Sequence, residues 1–315
     1  MSNARRWLRF SVPVLVTVGA LVFLFATIDF GEAVARVDSR VALLLLPTIL
    51  IYGVGSLVLE ALSLNRLFRG AARGLDVWTC ARIKAASYPL SLLHYAIGAA
   101  GLSFLLRRRG GMALSEAAGA VLLIAFLDLG LLLVLTAVGA GLLATRAPVV
   151  RAGLAVGMAV GLTVGFAFLR TRLPVGPLEW VRELEIFRTV REASTAMLWQ
   201  VGALRLLFVM LFMALGVAAM AAFGIPVPLG DLVVNMAAVA LVAALPIAIA
   251  GLGTGQVAFV YLFRHWSDPE TLLACSLTLS AALLVMRVGL GIAFAREYAR
   301  EAMVAVREAE AEAEA

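Results

Sequence analysis

Apolar residues fall along this chain in long unbroken stretches separated by short turns rich in arginine. Six stretches, Phe10–Ile28, Val41–Leu62, Ala113–Leu143, Ala152–Leu169, Thr195–Phe223 and Thr271–Ala295, each approach or exceed the ~20 residues that a helix needs to cross a bilayer. Two further apolar segments, Ala85–Leu106 and Leu232–Phe263, are interrupted by proline and glycine. The first contains Pro89, His94 and Gly98 and reaches Arg107; the second contains Pro246, Gly251, Gly253 and Gly255 and reaches Arg264. Proline to glycine (Gly98, Gly255) is nine residues in both, and proline to arginine is eighteen in both. Backbone groups freed by such residues cannot face lipid, so each break must lie within protein or line a wet cavity. Broken segments at matching positions of two halves point to a transporter's binding site.

Composition sharpens this picture. Of 315 residues, 63% are hydrophobic and 15% charged, with a mean hydropathy of +1.01, far outside the range of water-soluble domains. The apolar stretches do not alternate, which excludes a β-barrel and leaves an all-α polytopic membrane protein. Cys80 and Cys275 lack metal-ligand company and read as packing residues, and His94 and His265 are too few for a multi-histidine metal centre. Neither a metal nor another cofactor is expected. The net charge of +6 sits at helix ends, where it orients the chain and meets anionic headgroups, so no nucleic-acid partner is expected. Phe10–Ile28 follows Arg5, Arg6 and Arg9 and is too long for a signal-peptide core, so it reads as an uncleaved first span. A twin-arginine signal at Arg5-Arg6 is the alternative.

Arginine placement decides the threading. With both broken segments re-entrant and six full spans, nineteen basic residues fall on the cytoplasmic side and five outside, leaving Arg205 and Arg287 within spans. A full crossing by Ala85–Leu106 would send Arg107–Arg109 and the arginines between 170 and 191 outside and erase the bias. The re-entrant threading places both termini in the cytoplasm of a multi-pass protein of the plasma (inner) membrane. It also makes the half-repeats, roughly 41–143 and 195–295, inverted with respect to each other. Residues 1–295 form one integral-membrane domain, followed by a charged cytoplasmic tail, 296–315. Asn65–Ala86 and Pro174–Ala193 mix arginines with Leu67, Phe68, Trp78, Trp180 and Phe187, as interfacial helices do; solvated loops are the alternative.

A charge in mid-bilayer costs roughly 2.5–3.5 kcal/mol on insertion scales, so each one needs a reason. Asp128 lies mid-span, Arg205 is similarly deep, and Arg287 is close enough to its span's end to snorkel. Asp128 pairs with Arg205 or with Arg287; the sequence does not choose. Glu60 is expected to reach headgroups. Gln200, Asn235 and Gln256 are candidates for interhelical hydrogen bonds, and Gln256 adds a headgroup role because it follows Gly251-Leu-Gly253-Thr-Gly255, whose N–H groups could face an anion. His94 is a proton-relay candidate or a packed histidine. The glycine run fits no dinucleotide fingerprint, and neither GxxxxGK[ST] nor HExxH occurs. No enzymatic activity is expected.

The run Leu245-Pro246 to Gly251-Leu-Gly253-Thr-Gly255-Gln256 resembles a signature of the lysylphosphatidylglycerol synthase transmembrane-region family, also described as flippase-like. The first half resembles it too, through Pro89, Gly98, the basic turn Arg107–Gly110 and the span bearing Asp128. Gln256 stands where the family usually carries glutamate, and Ala125 where an arginine commonly precedes the Asp128 position. Bifunctional members add a C-terminal aminoacyl-transfer domain; this chain ends about twenty residues after its last span and is not expected to make the lysyl-lipid itself.

The resemblance implies translocation of a lipid, of aminoacyl, glyco, polyprenyl or hopanoid type, between leaflets. Candidate residues are Pro89, His94, Gly98, Asp128, Arg205, Pro246, Gly251, Gly253, Gly255, Gln256 and Arg287, with a membrane lipid as substrate and a separate lipid-modifying synthase or glycosyltransferase as partner. An accessory subunit or enzyme of lipid or glycolipid modification, and a non-transporting scaffold, are the alternatives. Cysteine labelling should place Arg66–Lys84, Arg107–Gly110 and Arg170–Arg191 on the cytoplasmic side together. Labelling of Arg107–Gly110 from outside would overturn both the re-entrant threading and the inverted repeat.

Overall fold

The computed structural model describes residues 35–69, 75–93, 95–142, 149–170, 183–244 and 253–314. Their helices are α1 (Ser39–Leu67), α2 (Val77–Leu93), α3 (Tyr95–Gly110), α4 (Leu114–Leu142), α5 (Val149–Arg170), α6 (Arg188–Glu192), α7 (Thr195–Ala222), α8 (Leu229–Ala244), α9 (Thr254–Phe263) and α10 (Pro269–Glu314). Four helical stretches, in α1, α4, α7 and α10, are long and apolar enough to cross a membrane. The expected span Phe10–Ile28 lies outside the described residues, so a count of six is not reached here. Short polar side chains start the helices by accepting their first free N–H groups. Asp38 accepts from Val41 N–H at 2.8 Å, Ser194 from Met197 N–H at 3.1 Å and Asp268 from Thr271 N–H at 2.9 Å. Asp76 accepts from the backbone N–H groups of Trp78 and Thr79 and from the Thr79 hydroxyl, and that hydroxyl bond is the main reason its carboxyl stays below the usual range.

Contacts at the helix ends fix the direction of each element. Arg36, before α1, donates to Thr271 at the start of α10, so these two helices begin at the same end of the bundle. The C-terminal part of α1 packs with Leu75, Ala117 and Ala120, which places the starts of α2 and α4 at the other end. That end also holds the start of α7, whose Met197 and Leu198 cluster with Leu67. Near its finish, α7 reaches Val41 and Leu45 through the core that contains Ala219 and Ile225. Helices α1 and α7 are therefore antiparallel. Arg66, Arg107–Arg109, Arg170, Arg188 and Arg191 gather at the α1 C-terminal end, and Arg36, Arg40 and Arg264 at the opposite one.

Two hairpins return to the end from which they start. Helices α2 and α3 leave the arginine-rich end and come back to it, where Gly110 faces Leu75. Helices α8 and α9 do the same from the opposite end, tied by Asn235 Nδ2 donating to the Leu262 carbonyl at 3.4 Å. The packing follows an exchange of α1–α4 with α7–α10. Helix α1 packs on α7, hairpin arm α2 on α10 as α8 on α4, and α3 on α4 as α9 on α10. With α1 and α7 antiparallel, this pattern is that of an inverted repeat.

The hairpin arms differ from the expected segments. The first begins at Val77, eight residues before Ala85, so residues 77–86 are not an interfacial helix but a buried arm, with Cys80, Ile83 and Ala85 wholly covered. Nor does Pro89 break it: α2 continues through the proline to Leu93. A proline inside a helix frees the carbonyl four residues earlier, here Ala85. Gly291 of α10 lies against both groups: a Cβ there would sit 2.5 Å from Pro89 Cγ and Cδ and 3.3 Å from the Ala85 oxygen. Gly98 serves the turn-back in the same way, since its Cβ would lie 2.7 Å from Ser91 Cα. Gly291→Val should therefore cost about 1–3 kcal/mol through overpacking and lower the thermal midpoint in detergent micelles. Gly161→Val, with nothing within 4 Å of the added Cβ, should leave it unchanged; equal midpoints for both variants would discard the close α2–α10 contact.

A candidate charged site within the bundle

Helix α7 buries Val201, Arg205, Val209 and Met213 at a spacing of four residues, so an arginine occupies one position of an otherwise apolar stripe. Its guanidinium meets Asp128, the central residue of α4, in a two-pronged pair: Nε donates to Oδ1 and Nη2 to Oδ2, both at 2.6 Å. The cation also lies 4.0 Å from the centroid of the Phe208 ring, an attractive placement where water is scarce. The Arg205 side chain is 1% exposed and that of Asp128 is 29% exposed, so the arginine is covered while one flank of the carboxylate is not. Of the two partnerships open for Asp128, the structure selects Arg205.

A second pair lies one helix away. Lys84 Nζ of α2 is 2.9 Å from Glu60 Oε1 of α1, and the Tyr88 hydroxyl donates to Glu60 Oε2 at 2.6 Å. Glu60 is thus turned into the bundle and not toward headgroups as expected. Arg287 of α10 lies beside the Tyr88 ring, 5.8 Å from its centroid, and interacts with the Tyr52 side chain. Tyr52 in turn packs on Phe208 and Phe212, with centroids 6.5 and 6.2 Å away. Aromatic rings therefore join Arg205 and Arg287 into one site with Glu60, Lys84 and Asp128. At 1.5 Å per helical residue, Glu60, Lys84 and Arg287 lie about 10 Å from the arginine-rich end and Asp128 about 20 Å.

The glycine-rich break does different work. Gly253 has φ 83°, a conformation that favours glycine, and begins α9. Its N–H donates to Gln256 Oε1 at 2.7 Å, while Gln256 Nε2 donates to Ser280 Oγ of α10 at 3.0 Å. Gln256 caps its own helix and ties it to α10, so the glutamine expected beside a headgroup has its amide engaged within the protein. Gly255 sets the fit of the hairpin arms, with a Cβ position 3.6 Å from that of Ala243. Ser280 and Arg287 are seven residues apart on α10, which puts about 10 Å between this group and the charges. His94, Pro246 and Gly251 lie outside the described residues.

Lys84, Tyr88 and Tyr52 are site residues that sequence reasoning missed, because Lys84 was counted with the basic turn. The available signal was the four-residue interval from Lys84 to Tyr88, which sets both on one face of a helix.

The family described as Lysylphosphatidylglycerol synthase TM region matches residues 10–291. The chain belongs to this family. Its match spans the first half-repeat, nearly all of the second and every charge of the site, and it ties the chain to a membrane lipid-related function. Searches of curated proteins and of solved structures give no match.

A buried ion pair makes a sharp energetic prediction. Removing one partner strands a charge and costs about 3–5 kcal/mol, whereas removing both costs much less. Asp128→Asn and Arg205→Gln should each lower folded yield and thermal midpoint strongly, and the double variant should recover part of both. Losses that simply add would mean that the two groups act separately.

Proposed function

We propose that the protein carries a membrane lipid between leaflets, without enzymatic turnover, and that the charged site is where the headgroup passes. The observation that supports this most directly is the set of charges on α1, α2, α4, α7 and α10, held below the membrane surface between two oppositely oriented halves. A headgroup leaving the water loses its hydration, and only polar groups already fixed at depth can replace it. The exposed flank of Asp128 offers such groups at the middle of the membrane, and Glu60, Lys84 and Arg287 offer them nearer the arginine-rich end. By the charge bias of the loops that end is cytoplasmic, so a headgroup coming from the inner leaflet meets Glu60, Lys84 and Arg287 before Asp128.

The alternative, an enzyme or accessory subunit of lipid modification, draws on the convergence of Glu60, Lys84 and Tyr88. Both Glu60 oxygens are engaged, one by Lys84 and one by Tyr88, which suits a fixed scaffold better than a proton-transferring acid. Transport is therefore the stronger reading, with a separate synthase or glycosyltransferase supplying the lipid.

Leaflet-resolved lipid accessibility in reconstituted vesicles tests this. Wild-type protein should speed exchange of its lipid between leaflets, and the Asp128→Asn/Arg205→Gln double variant should lose most of that acceleration while remaining inserted. Full activity in the double variant would remove the site from the path. Inactivity of the wild type toward aminoacyl-, glyco-, polyprenyl- and hopanoid-type lipids would favour the accessory role.

A further inference from the structure

Asp231 is a buried acid outside the charged site. It lies in the first turn of α8, at the end opposite the arginine-rich one, and is 6% exposed. Other aspartates at helix starts spend their oxygens on backbone N–H groups, as Asp38, Asp76 and Asp268 do. Among the described residues no donor and no cation meets the Asp231 carboxylate. Two arginines of that end are engaged elsewhere: Arg36 on Asp268 and Thr271, and Arg264 against the Tyr261 ring at 4.3 Å. A buried charge is costly unless something of opposite sign meets it.

Oxygen atoms gather around this one. Asn235 follows Asp231 by four residues, so both lie on one face of α8, their Cβ atoms about 5–6 Å apart. Asn235 is 8% exposed, and its Nδ2 donates to the Leu262 carbonyl at 3.4 Å, a long bond. Among the described residues no donor meets its amide oxygen. Leu262 belongs to the last turn of α9, where carbonyls lack intrahelical donors and the helix dipole is negative. Because α8 and α9 run antiparallel, the step back from Asn235 to Asp231 matches a step onward from Leu262 to the finish of α9. A carboxylate and a carbonyl end so placed repel each other unless a cation lies between them.

We propose that the Asp231 carboxylate, the Asn235 amide oxygen and the carbonyls that end α9 bind one sodium ion. Hard cations take oxygen ligands, and one carboxylate among neutral oxygens balances a single positive charge. A divalent ion calls for more acidic groups, and among the described residues no group of three His, Cys, Asp or Glu could hold a metal. The close approach of Asn235 to Leu262 suits a small ion, hence sodium and not potassium. A proton needs only the carboxylate and leaves the amide oxygen and the helix end unmet. Helix C-terminal ends serve sodium in this way in membrane transporters. The ion ties the start of α8 to the finish of α9 and so holds the second hairpin shut at its open end. This site does not depend on the transport reading.

The test reads the thermal midpoint of full-length protein in uncharged detergent as sodium chloride replaces choline chloride at constant ionic strength. The midpoint should rise in a saturable manner, and potassium chloride should raise it less. Radioactive sodium should bind the wild type with the same saturation, a reading that needs no variant. Asp231→Asn should abolish the sodium response, and Asn235→Leu should weaken it. Asp38→Asn, which keeps a helix cap at the same end, should leave it whole. No rise with sodium in the wild type, or a full response in Asp231→Asn, would overturn the proposal. Equal rises with sodium and potassium would overturn the choice of ion. A midpoint that follows pH and ignores sodium would put a proton in its place.

Discussion

A guanidinium and a carboxylate placed inside hydrocarbon each carry a cost that no single helix can offset. Arg205 and Asp128 meet it together, and the rest of the bundle is arranged so that they can. Their two 2.6 Å bonds fix α7 against α4 in one register, since sliding either helix by a turn would leave both groups bare. The antiparallel contact of α1 with α7 then seats Tyr52 near the cation, and α4 provides the wall on which the second hairpin packs. Apolar packing alone specifies register weakly in a membrane, where lipid is as oily as leucine. A buried pair with fixed geometry supplies the direction that the apolar contacts lack.

The two halves share an architecture but not a chemistry. Around the first hairpin gather acidic and basic side chains: Glu60, Lys84 and Arg287, with Tyr88 near all three. Around the second, two amides make the ties: Asn235 on a carbonyl, and Gln256 between the Gly253 N–H and Ser280. An amide whose donor and acceptor are both used holds a hairpin closed. In the first, a lysine and an arginine each lie 5.8 Å from the centroid of the Tyr88 ring. The pseudo-twofold arrangement therefore pairs a hairpin held by an ion pair with one held by side-chain amides.

Much of the architecture was legible because lipid imposes few rules. Length and hydropathy located α1, α4, α7 and α10, and arginine counting gave the re-entrant threading that the end-to-end contacts reproduce. Asp128, Arg205 and Arg287 stood out because charge in an apolar run needs an explanation. Other features were hidden for physical reasons. The first hairpin begins at Val77, among residues that look amphipathic, because Lys84 on that arm meets Glu60 inside the bundle. Pro89 suggested a break, yet α2 passes through it, since Gly291 makes room for the ring and for the carbonyl it frees. No local pattern reveals that accommodation, which depends on a residue 202 positions away. The sequence offers Gln256 as an interhelical hydrogen-bonding residue or a headgroup ligand; its bond to Ser280 of α10 fits the first, and the cap it makes on the Gly253 N–H had no signal of its own.

Helix α10 has a mechanical property of its own. It is continuous over 46 residues, from Pro269 to Glu314, and its last twenty or so extend about 30 Å beyond the apolar part. The same rod carries Ser280 against the second hairpin, Arg287 in the charged site and Gly291 against Pro89. A helix without a joint transmits torque. Anything that grips its outer end would turn Arg287 about the helix axis, so the protruding segment acts as a handle on the charged site.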